Sequence, residues 1–224
     1  MRDLRANSIS GNNTRKEMIP MKKESFNIVV CGIGGQGVIT LGKIISRAAM
    51  KSGLETSMSE FRGHAKRHDS THCHIRIGKA HTPVIPNGNA DLIIAMDSFE
   101  LLRQKYMIGM NTQILMDGNF VNGNEIMIDE ENLPHVETAS KNIGGKIIGI
   151  GFEALAKQVV DFQDKNIFFL GAASRLDEFP VHKNIVREAI IQVIAKRVES
   201  SLNAFDAGFN SEISRLNYDI KGQF

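Results

Sequence analysis

The chain is short of cysteine, tyrosine and tryptophan, and each shortage excludes a class of function. Only two cysteines occur, Cys31 and Cys73, far apart and in no C-x-x-C pair. A cysteine-ligated iron–sulfur cluster normally takes four thiolates, so this chain cannot supply a whole one. The same scarcity leaves no disulfide framework and fits a reducing cytoplasm. Tryptophan is absent and tyrosine occurs twice, which removes the usual stacking platforms for single-stranded nucleic acid. A net charge of +2 gives no basic surface for nucleic acid either. No run approaches the roughly 20 apolar residues of a membrane span, and the polar start has no signal-peptide core. Residues 1–24 read as a flexible extension, with Met18 and Met21 as further candidate starts, and residues 211–224 read as a C-terminal tail. Several catalytic patterns are also missing: the G-x-S-x-G elbow, H-E-x-x-H and a thiamine-type GDG…N run.

What the chain does have is a glycine cluster in a telling place. Ile28-Val29-Val30-Cys31 runs into Gly32-Ile33-Gly34-Gly35-Gln36-Gly37, and a helical apolar pattern begins at once with Val38. That is a strand, a tight turn and a helix N-terminus. Unpaired N–H groups at such a helix start suit a phosphate or carboxylate. Glycine permits close approach of the anion and positive φ angles. No Gly-Lys-Ser/Thr ending follows, so this is not a Walker A loop. Tight packing of strand against helix would call for the same glycines, and the turn by itself leaves both readings open.

The remaining pattern alternates strands with helices. Strands are expected over Phe26–Gly32, Thr56–Phe61, Thr71–Gly78, Asp91–Met96, Gln113–Met116 and Lys146–Ile150. Helices are expected over Val38–Lys51 (closed by Gly53), Phe99–Tyr106 (capped by Asp97-Ser98), Phe152–Val160, Asn166–Leu176 and Val181–Phe205. In Thr71–Gly78, Cys73, Ile75 and Ile77 fall on one face, and His72, His74 and Arg76 on the other. The pattern predicts one α/β domain over residues 25–210: Rossmann-like, doubly wound, with a mainly parallel sheet and C-terminal helices.

Residues Glu60 to Thr71 are dense in charge and histidine and read as an exposed irregular segment. His64, His68, His72 and His74 have spacings that would suit a metal. No cysteine or carboxylate completes a tetrahedral set, however, and Arg62, Lys66 and Arg67 would repel a cation, so no metal is assigned. Taken by charge, Arg62, Lys66, Arg67 and Arg76, with histidines that titrate near neutrality, suit an anion beside the glycine turn. An ordinary exposed positive face would look the same. Glu60, at an expected strand end, is the candidate catalytic carboxylate; its alternative role is an ion pair with Arg62 or Arg67. Asp97 reads as a helix cap and Asp117-Gly118 as a turn.

Three motifs in register carry a more specific resemblance: Gly32-Ile33-Gly34-Gly35-Gln36-Gly37, then Glu60-x-x-Gly63-x-Ala65-x-Arg67, then His74-Ile75-Arg76-Ile77-Gly78. They resemble the gamma-type subunit of 2-oxoacid:ferredoxin oxidoreductases, particularly its indolepyruvate branch. Pro86-x-Gly88-x-Ala90-Asp91-Leu92, Asn166-Ile167-Phe168-Phe169-Leu170-Gly171-Ala172 and the Asn203–Gly208 region extend the likeness from about residue 26 to 208. One departure stands out, because Arg67-His68-Asp69 replaces the family's Arg-Gly-Gly. The resemblance implies oxidative decarboxylation of a 2-oxoacid, aryl pyruvates such as indolepyruvate included, with transfer of the acyl group to coenzyme A. It implies that thiamine diphosphate and iron–sulfur clusters sit in a larger alpha subunit, with ferredoxin as electron acceptor and no redox cofactor on this chain. Gly32, Gly34, Gly35, Gln36, Gly37 and Arg67 are then the expected residues for the coenzyme A phosphates. Two other readings stay open: a nucleotide-binding regulatory or scaffold module, and a stand-alone NAD(P)-dependent oxidoreductase in which Glu55 would hold the ribose.

Overall fold

The fold is built on a mixed sheet whose central strands run parallel. A computed structural model of the protein describes residues 23–63, 69–117, 146–150, 162–211 and 213–216. The strands are β1 (Ser25–Ile33), β2 (Thr56–Arg62), β3 (Ser70–Gly78), β4 (Ala90–Ala95), β5 (Ile108–Asp117), β6 (Lys146–Ile150) and β7 (Ile213–Leu216). The helices described are α1 (Val38–Lys51), α2 (Ser98–Arg103), α3 (Lys165–Ala173), α4 (Lys183–Val193) and α5 (Val198–Asn210). Sheet order is β2-β3-β1-β4-β5-β6-β7. Strands β1, β4, β5 and β6 pair in parallel, whereas β3 runs antiparallel between β1 and β2, and β7 antiparallel to β6. The expected α/β fold with a mainly parallel sheet is therefore present, with two reversed strands that the alternating pattern did not announce.

β1 is buried on both faces because its residues feed two cores. Ile28 and Val30 face α1, while Val29 and Cys31 face the other side, and all four are fully buried. The α1 side is the larger core and takes the apolar faces of α1, α3, α4 and α5. α1 lies close to the sheet at Gly42, where a Cβ would fall 2.7 Å from Cys73 Sγ and 2.6 Å from Met58 Cε. It ends where expected, with Gly53 at φ 79 and Leu54 N–H donating to Ala49 O. The second core is thinner and is covered by α2, the 3₁₀ turn Lys105–Met107 and Ile85.

β5 starts at Ile108, five residues before the expected Gln113, and α2 ends at Arg103 rather than Tyr106, with a 3₁₀ turn following; two further elements differ more. The long C-terminal helix over Val181–Phe205 is two helices, broken at residues 194–197. Ile194 turns extended and Arg197 adopts φ 63, held by Asp164 Oδ2 at 2.8 Å and Gln163 Oε1 at 2.6 Å. The break lets α4 pack on α1 and α5 pack on α3, two directions that one straight helix cannot serve. The α3–α5 contact is tight, since Gly171 and Gly208 each approach the partner helix backbone where a Cβ would meet a carbonyl oxygen at 2.0 Å. The second difference is β7, a strand inside the segment expected as a tail, paired with β6. The expected helix Phe152–Val160, the 1–22 part of the N-terminal extension and Gly118 lie outside the described residues.

Candidate functional site

The site forms where β1 ends. Ile33, Gly34, Gly35, Gly37 and the first turn of α1 make one wall of a cavity of about 480 Å³; Arg62, Gly63 and Thr71 make the other. β3 lies between β1 and β2, so the ends of all three strands meet the turn: Ile33 pairs with Ser70, and Thr71 with Arg62.

Each glycine has its own task. A Cβ on Gly32 would lie 2.5 Å from Gln36 Oε1, the oxygen that accepts the Ile33 N–H at 2.9 Å. Gln36 N–H in turn donates to Ile33 O at 3.1 Å, so Gln36 braces the turn from within. Gly34 N–H donates to Asp69 O at 2.8 Å. Gly35 is exposed at φ 106 with open space around it, and Gly37 holds φ 79 as the N-cap of α1. Gly37 has no side chain to cap the helix, the first turn holds no acidic residue, and Val38, Ile39 and Thr40 of that turn line the cavity. The donors offered to an anion thus cluster at Gly35, Gly37 and the start of α1, while Gly34 and Gln36 set the shape.

The charged residues separate into two groups. Arg62 lines the cavity, and its Nη2 donates to Glu60 Oε2 at 2.5 Å. Glu60 itself lies one strand pair behind, opposite Cys73. Asp69, in the departure from the family pattern, ties the turn through its main chain and accepts Ser70 N–H on its carboxylate at 2.9 Å. His64, Lys66, Arg67 and His68 lie outside the described residues.

His72 and His74 do not join an anion site. They point to the opposite face of the sheet from α1, where His72 stacks on Phe61 at 4.6 Å and His74 Nδ1 accepts Ile85 N–H at 3.2 Å. Burial, with His72 as a smaller cause, pushes His74 down to about 4, and burial lowers His72 as well. Both are neutral at pH 7, which corrects the expectation that they titrate near neutrality. Among the described residues no group of three or more His, Cys, Asp or Glu could hold a metal ion. Asp97 caps α2 as expected, accepting Glu100 N–H at 3.1 Å.

The cysteines are placed for packing. Cys31 and Cys73 are fully buried on opposite faces of the sheet. Burial, then Glu60, pushes Cys73 up to about 12. Burial, then Glu100 and Asp97, raises Cys31 well above its ordinary value. Neither offers a thiolate to a cluster.

Glu55 is poorly placed for a ribose. Its carbonyl accepts Gly78 N–H at 2.7 Å, level with Ser25 at the start of β1. The glycine turn is a whole nine-residue strand away, roughly 30 Å at strand rise. Residues that the sequence reading left without a role are Thr40, Thr71 and Asn166. Thr40 was legible as the third helical residue after the glycines, whereas Asn166 arrives from 129 positions away to donate to Gly37 O at 3.3 Å.

The comparisons with known proteins agree with this architecture. A family model for pyruvate ferredoxin/flavodoxin oxidoreductase matches residues 27–211. Indolepyruvate oxidoreductase subunit IorB of Archaeoglobus fulgidus is 30% identical over 193 residues, covering 84% of this chain and 96% of that protein. The IorB subunit of Methanothermobacter thermautotrophicus is 29% identical over 191 residues, covering 84% and 97%. Among solved structures, pyruvate oxidoreductase subunit PORC of Thermotoga maritima superposes with a TM-score of 0.64 at 18% identity, covering 86% of this chain and 100% of that one. A 2-oxoglutarate:ferredoxin oxidoreductase of Magnetococcus marinus, solved with 2-oxoglutarate, coenzyme A and succinyl-CoA, gives a TM-score of 0.64 at 23% identity. That match covers 84% of this chain and 31% of the other. With the sequence match spanning most of its length, the chain belongs to the pyruvate ferredoxin/flavodoxin oxidoreductase family.

Proposed function

We propose that this chain is the subunit without a redox centre in a 2-oxoacid:ferredoxin oxidoreductase, acting in the cytoplasm on indolepyruvate or a similar aryl pyruvate. The observation that carries the reading is the fate of the two thiols. A family whose chemistry moves electrons meets here a chain whose only cysteines are sealed on opposite faces of a sheet. The clusters and thiamine diphosphate then belong to a larger alpha subunit, with ferredoxin receiving the electrons. Thiamine diphosphate, when bound by that partner, supplies carbanion stabilisation. This chain supplies shape and charge beside it. The first turn of α1 and Arg62 line one cavity, and the phosphates of coenzyme A are the anion we assign there. Arg67, outside the described residues, is the second cation of this reading. The IorB names of relatives near 30% identity favour an aryl pyruvate as substrate.

A nucleotide-binding scaffold without turnover would use the same turn, and partnership separates the two. The test is reconstitution with the larger subunit and assay of viologen reduction with indolepyruvate and coenzyme A. The pair is expected to reduce the dye, and the isolated chain to give none. Dye reduction by the isolated chain, or no dependence on it in the pair, overturns the proposal.

A further inference from the structure

β2 is the last strand on its side of the sheet, and among the described residues nothing pairs with its outer edge. Open edges are ordinarily blunted with proline, lysine or a bulge. β2 has none of these, and all its residues from Thr56 to Arg62 pair with β3 in unbroken register. Hydrogen bonds beyond its two ends fix its phase. Gly63 N–H donates to Ser70 O, and Glu55 O accepts Gly78 N–H. Odd-numbered residues therefore bond to β3, and Thr56, Met58, Glu60 and Arg62 turn their N–H and C=O groups outward.

The side chains point the same way. Phe61 stands opposite His72 on β3, and the two rings stack at 4.6 Å with 10° between their planes. One face of Phe61 is thus used on His72, and the other looks away from β3, out over the open edge. Glu60 and Arg62 flank it on the other face of the sheet, both exposed and opposite in charge.

We propose that β2 pairs with β2 of a second copy of this chain, antiparallel and centred on Phe61, so that two sheets join into one. A two-fold axis through the edge keeps each side chain on its own face, so the pairing centres on one residue. Centring on Phe61 sets Glu60 of each copy opposite Arg62 of the other, in hydrogen-bonded pairs. Phe61 and its counterpart become the closer, non-hydrogen-bonded pair. The aromatic stack then runs from His72 through both Phe61 rings to the second His72. Centring on Glu60 opposes like charges, and centring on Ser59 leaves Glu60 opposite Met58. Arg62 also lines the cavity, so each copy brings a carboxylate to the rim of the other's cavity.

The experiment is sedimentation of the full chain combined with thiol cross-linking. Cys31 and Cys73 are fully buried, so an introduced thiol is the one that reacts. The native chain is expected to sediment as a dimer. Phe61→Cys lies on the axis and is expected to give a disulfide-linked dimer under mild oxidation. Ser59→Cys falls opposite Gly63, roughly 13 Å from its own counterpart, and is expected to give none. Glu60→Arg is expected to raise the dissociation constant about tenfold. Glu60→Arg combined with Arg62→Glu restores opposite charges across the edge and is expected to recover most of the affinity, which separates lost pairing from misfolding. A monomeric native chain without a cross-link at position 61 overturns the proposal, and so does a cross-link at position 59. A chain that stays monomeric, yet loses its association with the larger subunit on Glu60→Arg, gives this edge to that subunit and overturns the pairing with a second copy.

Discussion

The two faces of the sheet are built on different terms. The α1 face carries a continuous core in which Phe168, Phe169, Phe179 and Phe205 are among the largest fully buried side chains, covered by four helices. The opposite face has a smaller apolar cluster under a six-residue helix, a 3₁₀ turn and one loop. Both faces carry buried polar groups: Asp164, Asn166 and Ser201 lie at the α3 and α5 ends on the first, and His74, Glu100 and Ser98 on the second. Glu100 accepts a hydrogen bond from Ser70 Oγ at 2.5 Å and pairs with Arg103 at 3.3 Å. Large apolar side chains stay exposed around this thinner side, with Phe99 at 42% and Tyr106 at 45%. The first face therefore rests on the larger filled volume, while the second adds to a thinner core a buried histidine that the fold keeps neutral. The cavity sits at the end of β1, where the first and sturdier face supports the turn through α1.

The sharpest way to break the contrast is in the α3–α5 contact. Gly208→Ala places a Cβ 2.0 Å from Phe168 O, so the helices must move apart. Urea denaturation is expected to show a loss on the order of 3 kcal/mol or more, with overpacking and lost contacts both contributing. Phe205→Ala on the same face should cost about 3–5 kcal/mol, and Met107→Ala on the thin face nearer 2 kcal/mol. Equal losses at Phe205 and Met107 in parallel denaturant titrations would erase the distinction between the faces.

Acidity discriminates in the other direction. His74 stays neutral in the fold down to about pH 4, while the unfolded chain takes up its proton near pH 6.5. The stability it contributes is therefore complete above pH 6.5 and is lost as pH falls from 6.5 toward 4. The loss should reach about 3 kcal/mol, and His72 acts in the same sense. Urea midpoints followed from pH 7.5 to 4.5 should show this slope, and His74→Gln should flatten it. A slope unchanged in that variant would place the acid sensitivity elsewhere. The smallest expected effect is Asp97→Ala, which removes the α2 cap and should cost about 1 kcal/mol by thermal melting.

Much of this was legible before any coordinates. β1, α1, β2 and β6 begin and end within two residues of where apolar runs and glycines put them, because these elements announce their own boundaries. Asp97 as a cap and the two-faced alternation of β3 were legible for the same local reason. The break at residues 194–197 was not, because Ile194, Arg197 and Val198 continue the apolar period, and the turn is set by Asp164 and Gln163 from another helix start. At the site, the glycine turn was visible and Arg62 was visible as a charge. Its pairing with Glu60 follows from strand phase, since residues two apart share a face. The meeting of both with α1 depended on β3 reversing between β1 and β2.

By itself, the order of residues determined the strand–turn–helix unit, the want of cluster-forming thiols and the family motifs. Each is a matter of local backbone preference or of which atoms the chain owns. Only the tertiary structure decided which charges face the turn, that two histidines are held neutral on the far side, and that an asparagine 129 positions away packs on Gly37. Those facts depend on long-range strand pairing and burial, and no window along the chain contains them.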